Sequence, residues 1–523
     1  MPAEPSSVAE STRPSVRPLT PVTERRAAAG RWPWPEIERA SGGPTIVGND
    51  IDLHFDGPAA FAAWLDDIER ATKFIYFENY LVRDDEVGRE LRGALIRKAA
   101  QGIPVYVIYD WLGCWATPRS FWKPLLKAGG QVHAFNPPGL RLGDPFGAVQ
   151  RDHRKLLVVD GESAHVGGMC VGIEWAGTRT TAPWRDTGVS IRGPAARTAA
   201  LAFERMWSDV EAPLSLSAAL GPPVQAGSTP VWLIEGEPGR TRVYRTLHLN
   251  ASRATDSIWI TDAYFVAPRS LSEALAAAAQ QGVDVRILVP SHNNWPIVGS
   301  MSRGGYRFLL ESGVRIFEWQ GPMIHSKTAV VDGIWCRVGS SNLNTASLMG
   351  NWELDVGVMD DGLARQLQGL YLADLASSVE IVLPGSRAPN RQVFELAPLS
   401  TASLDRVGPQ QQRRERTRGQ AQGLVTLASL VRAREALGSA LAGNRRLGRE
   451  DRTMLGTLSF AILVFAVLAA LLPTLVGWVV ATIAGWLALT TGVRAFLQAR
   501  SARRVERGAP ESEIRARDGA GGA

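Results

Sequence analysis

Cysteine is scarce and unpaired in this chain. Cys114, Cys170 and Cys336 are odd in number, far apart and free of CxxC spacing, which excludes a disulfide framework and a cysteine-built zinc site and points to a reducing compartment. Lysine is nearly missing as well. The cationic residues are almost all arginine, and beyond Lys127 the only lysines are Lys155 and Lys327, so these two positions call for an amine where the chain otherwise uses a guanidinium. No apolar segment follows a basic start, so no secretory signal is expected. The formal net charge of +6 favours contact with nucleic acid or acidic lipid, without choosing between them.

A chain of 523 residues exceeds a single core and implies several domains. Residues 1–43, rich in Pro, Ser, Thr and Arg at their start, are expected to be a disordered N-terminal arm. From residue 44 the texture is α/β: FIYFENYLV and VYVIYDWL are strand candidates, and VGRELRGALIRKAAQG between them is a helix closed by Gly102. The pattern then repeats. ATKFIYFENYLV returns as ATDSIWITDAYFV, AAQGIPVYVIYD as AAQQGVDVRILVP, and LLKAGGQVHAF as LLESGVRIFEW. The expectation is a duplicated α/β domain, with halves at 44–225 and 226–388, each bringing half of a site to a shared interface.

Downstream, residues 389–453 read as a basic linker, with GLVTLASLVRAREALGSAL suited either to an amphipathic helix on an anionic membrane or to a helix packed on the preceding domain. Met454–Leu472 and Leu475–Val493 are almost uncharged, each close to the roughly 20 residues of a spanning helix. Arginines flank the pair on both sides, so 454–493 is expected to be a two-helix membrane hairpin with both ends cytoplasmic. The basic tail 494–523 is expected to be disordered.

Each half carries one further motif. His153, Lys155 and Asp160 stand as H-x-K-x4-D in HRKLLVVDG, and His325, Lys327 and Asp332 repeat it in HSKTAVVDG. Residues two apart on a strand share a face, so each His–Lys pair can converge on one group. A phosphate suits that face: the lysine supplies charge, a neutral imidazole can attack phosphorus, and a protonated one can donate to the leaving oxygen. Two such histidines give nucleophile and general acid, and the reaction would pass through a phosphohistidine. Either aspartate, from its own or the opposing motif, could fix a ring nitrogen. No metal or other cofactor is needed, since two lysines and nearby donors can neutralise the equatorial oxygens. Gly168, Ser340 and Asn342, with Gly339 beside them, are candidate phosphate-binding positions. The remaining histidines, His54, His133, His165, His248 and His292, lack this context and read as surface or core residues.

These residues resemble the phospholipase D superfamily, whose motif H-x-K-x4-D-x6-G-[SG]-x-N is matched in full at 325–342 and at 153–170 except for its last position, where Cys170 stands in place of Asn. PWRDTGVSIRGPA, YFENYLVRDDEVG, DAYFVAPRSLSEAL and NLNTASLMGNWELDVGV are similar to segments of bacterial cardiolipin synthases. The resemblance implies a duplicated phospholipase D-type α/β/α fold with a pseudo-twofold, two-half active site. It also implies transfer of a phosphatidyl group to phosphatidylglycerol, giving cardiolipin, with His153 as nucleophile and His325 as acid and then base. Asp186 and Glu353 sit where relatives carry acidic residues, and are expected to orient the lysines or histidines. The partners implied are phospholipid and membrane, not nucleic acid, with the catalytic domain on the cytoplasmic side of a bacterial inner membrane. Hydrolysis by the same intermediate, of phospholipid or of a nucleic-acid phosphodiester, is the alternative chemistry; a membrane-tethered scaffold with a degenerate site is the alternative class, for which Cys170 is the single argument.

Overall fold

Residues 34–137 and 150–383 are described by a computed structural model. All but three of them belong to one compact unit, Met1–Phe135 with Arg151–Ala428; the second unit, Asn136–Gln150 with Ser429–Ala523, lies almost wholly outside the described residues. The amphipathic segment of 389–453, the hairpin of 454–493 and the tail of 494–523 also lie outside them. Among the described residues no helix is long and apolar enough to cross a membrane.

Seven strands come from the first half of the unit: β1 (Ile46–His54), β2 (Ile75–Asn79), β3 (Val105–Asp110), β4 (Gln131–Phe135), β5 (Lys155–Val159), β6 (Ser163–Gly167) and β7 (Gly188–Arg192). The second half supplies β8 (Thr229–Gly236), β9 (Ser257–Thr261), β10 (Asp284–Pro290), β11 (Arg315–Trp319), β12 (Thr328–Val331), β13 (Trp335–Gly339), β14 (Glu353–Met359) and β15 (Ser378–Ile381). They form one sheet in the order β15-β11-β10-β9-β12-β13-β14-β8-β1-β7-β6-β5-β2-β3-β4. Read outward from the central antiparallel β1–β8 pair, the two sides repeat the same order, and only β15 has no counterpart. In each side three strands are parallel (β2, β3, β4; β9, β10, β11) and the others antiparallel.

The parallel strands are the near-continuous apolar runs of the sequence, as burial on both faces requires. IYFEN of β2 and SIWIT of β9 are buried at every position. Between β2 and β3 the helix Glu86–Ala100 begins at Asp85, whose side chain accepts from the Gly88 N–H at 2.9 Å, and Gly102 follows its end at φ 85°. One apolar cluster is common to both halves: Phe74, Tyr76, Phe203 and Trp207 of the first pack with Val330, Val338, Leu354 and Val356 of the second.

One expectation changes. Within the stretch read as a disordered arm, Trp34–Ser41 is a helix; Ile37 is fully buried, and Trp34 meets the Trp232 ring edge-on at 5.9 Å. Trp34 and Ile37 lie one turn apart on a single face, enough to dock this short helix on the second half.

The central sheet also buries charge. Arg337 on β13 and Asp355 on β14 are almost fully excluded from solvent and paired at 2.8 Å, and Asp355 also accepts from the Ser341 N–H at 3.0 Å. Removing one member strands the other charge in an apolar interior. Asp355→Ala is therefore expected to lower stability by about 3–5 kcal/mol, read as a shift of the chemical denaturation midpoint, whereas exposed Asp66→Ala should shift it little.

Candidate active site

The two HxK motifs begin hairpins of the same construction. In VVDG the turn between β5 and β6 places Asp160 at φ 58° and Gly161 at 66°; between β12 and β13, Asp332 and Gly333 stand at 51° and 64°. Two successive positive φ values define the type I′ hairpin turn, which Asp-Gly accommodates. The Asp160 carboxylate accepts from the N–H groups of Thr72, Lys73 and Phe74 at 2.7–2.9 Å, and Asp332 does the same for Thr255, Asp256 and Ser257 at 2.9–3.2 Å. Both aspartates thus sit at the far end of their strands from the histidine and lysine, tying the turn to the start of the neighbouring strand. The expectation that they hold an imidazole is corrected: a five-residue strand separates Asp160 from His153.

The ring partners come from the opposite half. Residues 151–153 run parallel to Trp352, with His153 N–H to Trp352 O and Trp352 N–H to Arg151 O both at 2.9 Å, which sets His153 beside Glu353. Likewise Arg185 bridges Ile324, with Arg185 N–H to Met323 O at 3.0 Å and His325 N–H to Arg185 O at 2.7 Å, which sets His325 beside Asp186. The His153 Nδ1 to Glu353 Oε2 distance is 2.9 Å and the His325 Nδ1 to Asp186 Oδ2 distance is 2.7 Å. Each carboxylate has a second donor, the Ser340 hydroxyl on Glu353 at 2.6 Å and the Trp175 indole N–H on Asp186 at 2.9 Å, and Ser347 also donates to Glu353.

The lysines are placed alike. Lys155 donates to the carbonyl of His153 and Lys327 to that of His325, and their Nζ atoms lie 5.1 Å and 5.7 Å from the ring centroids of Tyr80 and Tyr264. Tyr80 packs on His153 with centroids 4.8 Å apart, Tyr264 on His325 at 5.8 Å. Neither tyrosine was singled out from sequence, although each closes the repeated strand, in FENY and TDAY; Trp175 and Ser347 carry no comparable signal.

Burial governs the protonation of the site. It pushes the His325 imidazole down to about 3, with Lys327 adding to the push and Asp186 opposing it, and it lowers His153 against the pull of Glu353. Burial would raise Asp186, but His325 and Lys327 outweigh it and hold that carboxyl at about 2; Glu353 is likewise held below its ordinary value against burial, chiefly by His153. Burial brings Lys327 down to about 8. Near neutral pH both imidazoles are therefore neutral, with the Nδ1 proton on the carboxylate side and the Nε2 lone pair available.

Of the other sequence candidates, Gly168 lies against the Asp186 carboxylate, which a β-carbon there would strike; Ser340, its counterpart, uses its hydroxyl on Glu353. Asn342 is buried with its Oδ1 lacking a hydrogen-bond partner, an acceptor left for a hydroxyl, while its NH2 can donate to a phosphate oxygen. Cys170 is buried at the equivalent place; burial pushes its thiol up, so it stays protonated. His165, by contrast, is a core residue held by Asp67 at 2.7 Å and Ser190 at 2.8 Å. Among the described residues no group of three or more His, Cys, Asp or Glu is placed to hold a metal ion.

The chain is similar in sequence and fold to known proteins. A family model described as "Cardiolipin synthase, PLD-like domain" matches residues 249–374. The chain is 32% identical to cardiolipin synthase A of Pseudomonas aeruginosa over 369 residues, covering 68% of this chain and 72% of that protein. It is 35% identical to the cardiolipin synthase of Geobacillus thermodenitrificans over 353 residues, covering 65% and 69%. The fold is similar to a crystal structure of phosphatidylserine synthase from Haemophilus influenzae, at a TM-score of 0.53 and 14% identity, over 66% of this chain and 91% of that one.

The capping role of the turn aspartates is testable. Asp160→Ala leaves three N–H groups unsatisfied and puts alanine at positive φ, so it should cost about 2–3 kcal/mol in denaturant unfolding, while the rate per folded molecule stays within a few-fold. A large loss of rate at unchanged stability would return Asp160 to the imidazole.

Proposed function

Because the chain belongs to the cardiolipin synthase family of phospholipase D-like proteins, we propose that it is a membrane-associated phosphatidyltransferase that makes cardiolipin from phosphatidylglycerol and a second phospholipid through a phosphohistidine. The observation that carries this reading is the crossed pair of imidazole–carboxylate contacts, His153 with Glu353 and His325 with Asp186.

Charge balance supplies the argument. The two lysines and two carboxylates cancel, so with neutral imidazoles they leave no net charge. A phosphodiester brings one negative charge, which one protonated imidazole restores to balance. Nε2 of His153 then attacks phosphorus, the bond to the headgroup oxygen breaks, and that oxygen takes the proton from Nε2 of His325. In the second half-reaction His325, now neutral, removes the proton of an incoming hydroxyl; that oxygen attacks phosphorus, and the P–N bond to His153 breaks. Glu353 and Asp186 hold the rings and stabilise the imidazolium forms. Lys155, Lys327 and the side-chain NH2 of Asn342 are assigned to the phosphate oxygens; Ser340, whose hydroxyl donates to Glu353 and whose N–H donates to the Leu354 carbonyl, fixes that carboxylate instead, and Gly168 makes room for Asp186. We place the reaction at the cytoplasmic leaflet, on the arginines that flank the apolar stretches of 454–493 in the sequence.

The test uses purified full-length protein with labelled phosphatidylglycerol. Cardiolipin and glycerol should form, a phosphorylated imidazole should be trapped by acid quench, and His153→Ala should lose both. Phosphatidic acid as main product would make water the acceptor and the protein a lipase. The pH profile follows from His325 and Lys327. Binding takes up one proton at His325, which sits at about 3 in the free protein, and Lys327 is charged only below about 8, so log kcat/KM is expected to fall with a slope near −1 across the neutral range and to steepen toward −2 above about 8; a steepening reached only in the ordinary lysine range would separate Lys327 from phosphate binding.

A further inference from the structure

Two tryptophans among the described residues are exposed, Trp115 at 70% and Trp295 at 46%. They occupy the same place in the two halves. β3 ends at Asp110 and β10 at Pro290, and each tryptophan stands five residues further on, in the loop leaving the carboxyl end of a middle parallel strand. Leu112 in the first loop is also exposed. So is Met349, two residues beyond the Ser347 that donates to Glu353.

Each loop is braced on the tyrosine that packs on the histidine of its half. In the first, Gly113 lies so close to the Tyr80 carbonyl that a β-carbon would strike it, and Thr117 donates to the Val82 carbonyl at 2.5 Å. The same loop is tied to the motif strand, since the Asp110 carboxylate accepts from the N–H groups of both Gly113, at 2.9 Å, and Asp152, at 3.0 Å. In the second, the Tyr264 hydroxyl donates to Asn294 at 2.7 Å, Asn293 donates to the Ala263 carbonyl at 2.9 Å, and Asn293 accepts from the Trp295 N–H at 2.8 Å. The two loops that carry the indoles are therefore tied to the segments of Tyr80 and Tyr264, one in each half. Neither segment carries acid: 111–127 and 291–310 contain no Asp or Glu, while Arg119 and Lys123 are exposed in the first.

We propose that Trp115 and Trp295, with Leu112 and Met349, form an interfacial rim that seats the mouth of the histidine site on an anionic phospholipid bilayer. Indole prefers the boundary between headgroup and acyl chain, where its ring is buried and its N–H stays hydrated. The exposed Arg119 and Lys123 of the first segment suit an anionic leaflet, whereas Arg303 and Arg307 of the second are paired with Glu318 and Glu311. Solvent-exposed tryptophan in the matching loops of both halves would otherwise hold apolar surface in water. The contact would deliver a phospholipid headgroup to the site with its acyl chains still in the leaflet.

The inference rests on the phosphatidyl-transfer reading, and two substrate forms separate their failures. Full-length protein is compared with Trp115→Ser, Trp295→Ser and the double variant, using dioleoyl phosphatidylglycerol in vesicles and a short-chain phosphatidylglycerol dissolved below its critical micelle concentration. All variants keep residues 384–523, so the comparison isolates the rim. The expected result is that the double variant loses about tenfold or more in kcat/KM on vesicles, mostly in KM, with each single variant intermediate, while the rate on dissolved substrate is unchanged. Equal loss on both substrates would make the tryptophans structural supports of the site, and no loss on vesicles would leave the rim without a lipid role; either overturns the proposal. Absence of transfer by the unaltered protein on both substrates would instead overturn the activity on which it rests.

Discussion

The constraint on which the rest depends is that neither half holds its own histidine. Glu353 reaches His153 and Asp186 reaches His325 only because two short parallel bridges, at Trp352 and at Arg185, carry the chain across from the opposite half. Such a contact exists only in the assembled sheet. The central β1–β8 pairing and the apolar cluster common to both halves therefore set the geometry of the imidazoles as well as the stability of the fold. A shift of one half against the other would cost both pairs together.

The second consequence is electrostatic. Four charged groups and two imidazoles are buried in one place, which is tolerable because the charges cancel and every one is hydrogen-bonded. Burial keeps the imidazoles neutral, and the carboxylates fix which nitrogen bears the proton. The site is thus set to take up one anion with one proton, and a phosphodiester is an anion of that charge. Desolvation, which weakens a lone ion pair, here selects the charge of what can bind.

The pseudo-symmetry is imperfect where the chemistry differs. Glu353 is the longer carboxylate and takes its second donor from Ser340 within the motif, while the shorter Asp186 lies against Gly168 and takes its second donor from Trp175 outside it. Glycine and serine at that motif position are each matched to the carboxylate they face. Cys170 and Asn342 are the other unequal pair: the thiol brings a weak donor, whereas the amide brings an oxygen that the protein leaves unsatisfied. Two histidines in unequal surroundings suit a reaction in which one bonds to phosphorus and the other moves the proton.

By itself the sequence determined the duplication, the α/β alternation and the His–Lys pairs, because each is written in local patterns: repeated segments, continuous apolar strands, and two side chains at a spacing of two on one strand. It also marked the lysines, through their scarcity among arginines. What it could not decide was which carboxylate meets which ring. Asp160 and Asp332 are near the histidines in sequence, yet strand length carries them to the opposite end, where they cap backbone N–H groups; Asp186 and Glu353 are 139 and 200 residues from their partners. The helix at Trp34–Ser41, the tyrosines under the lysines and the equivalence of Trp115 with Trp295 were likewise decided by tertiary structure. Each depends on contacts between segments far apart in the chain, and periodicity within a segment carries no record of them.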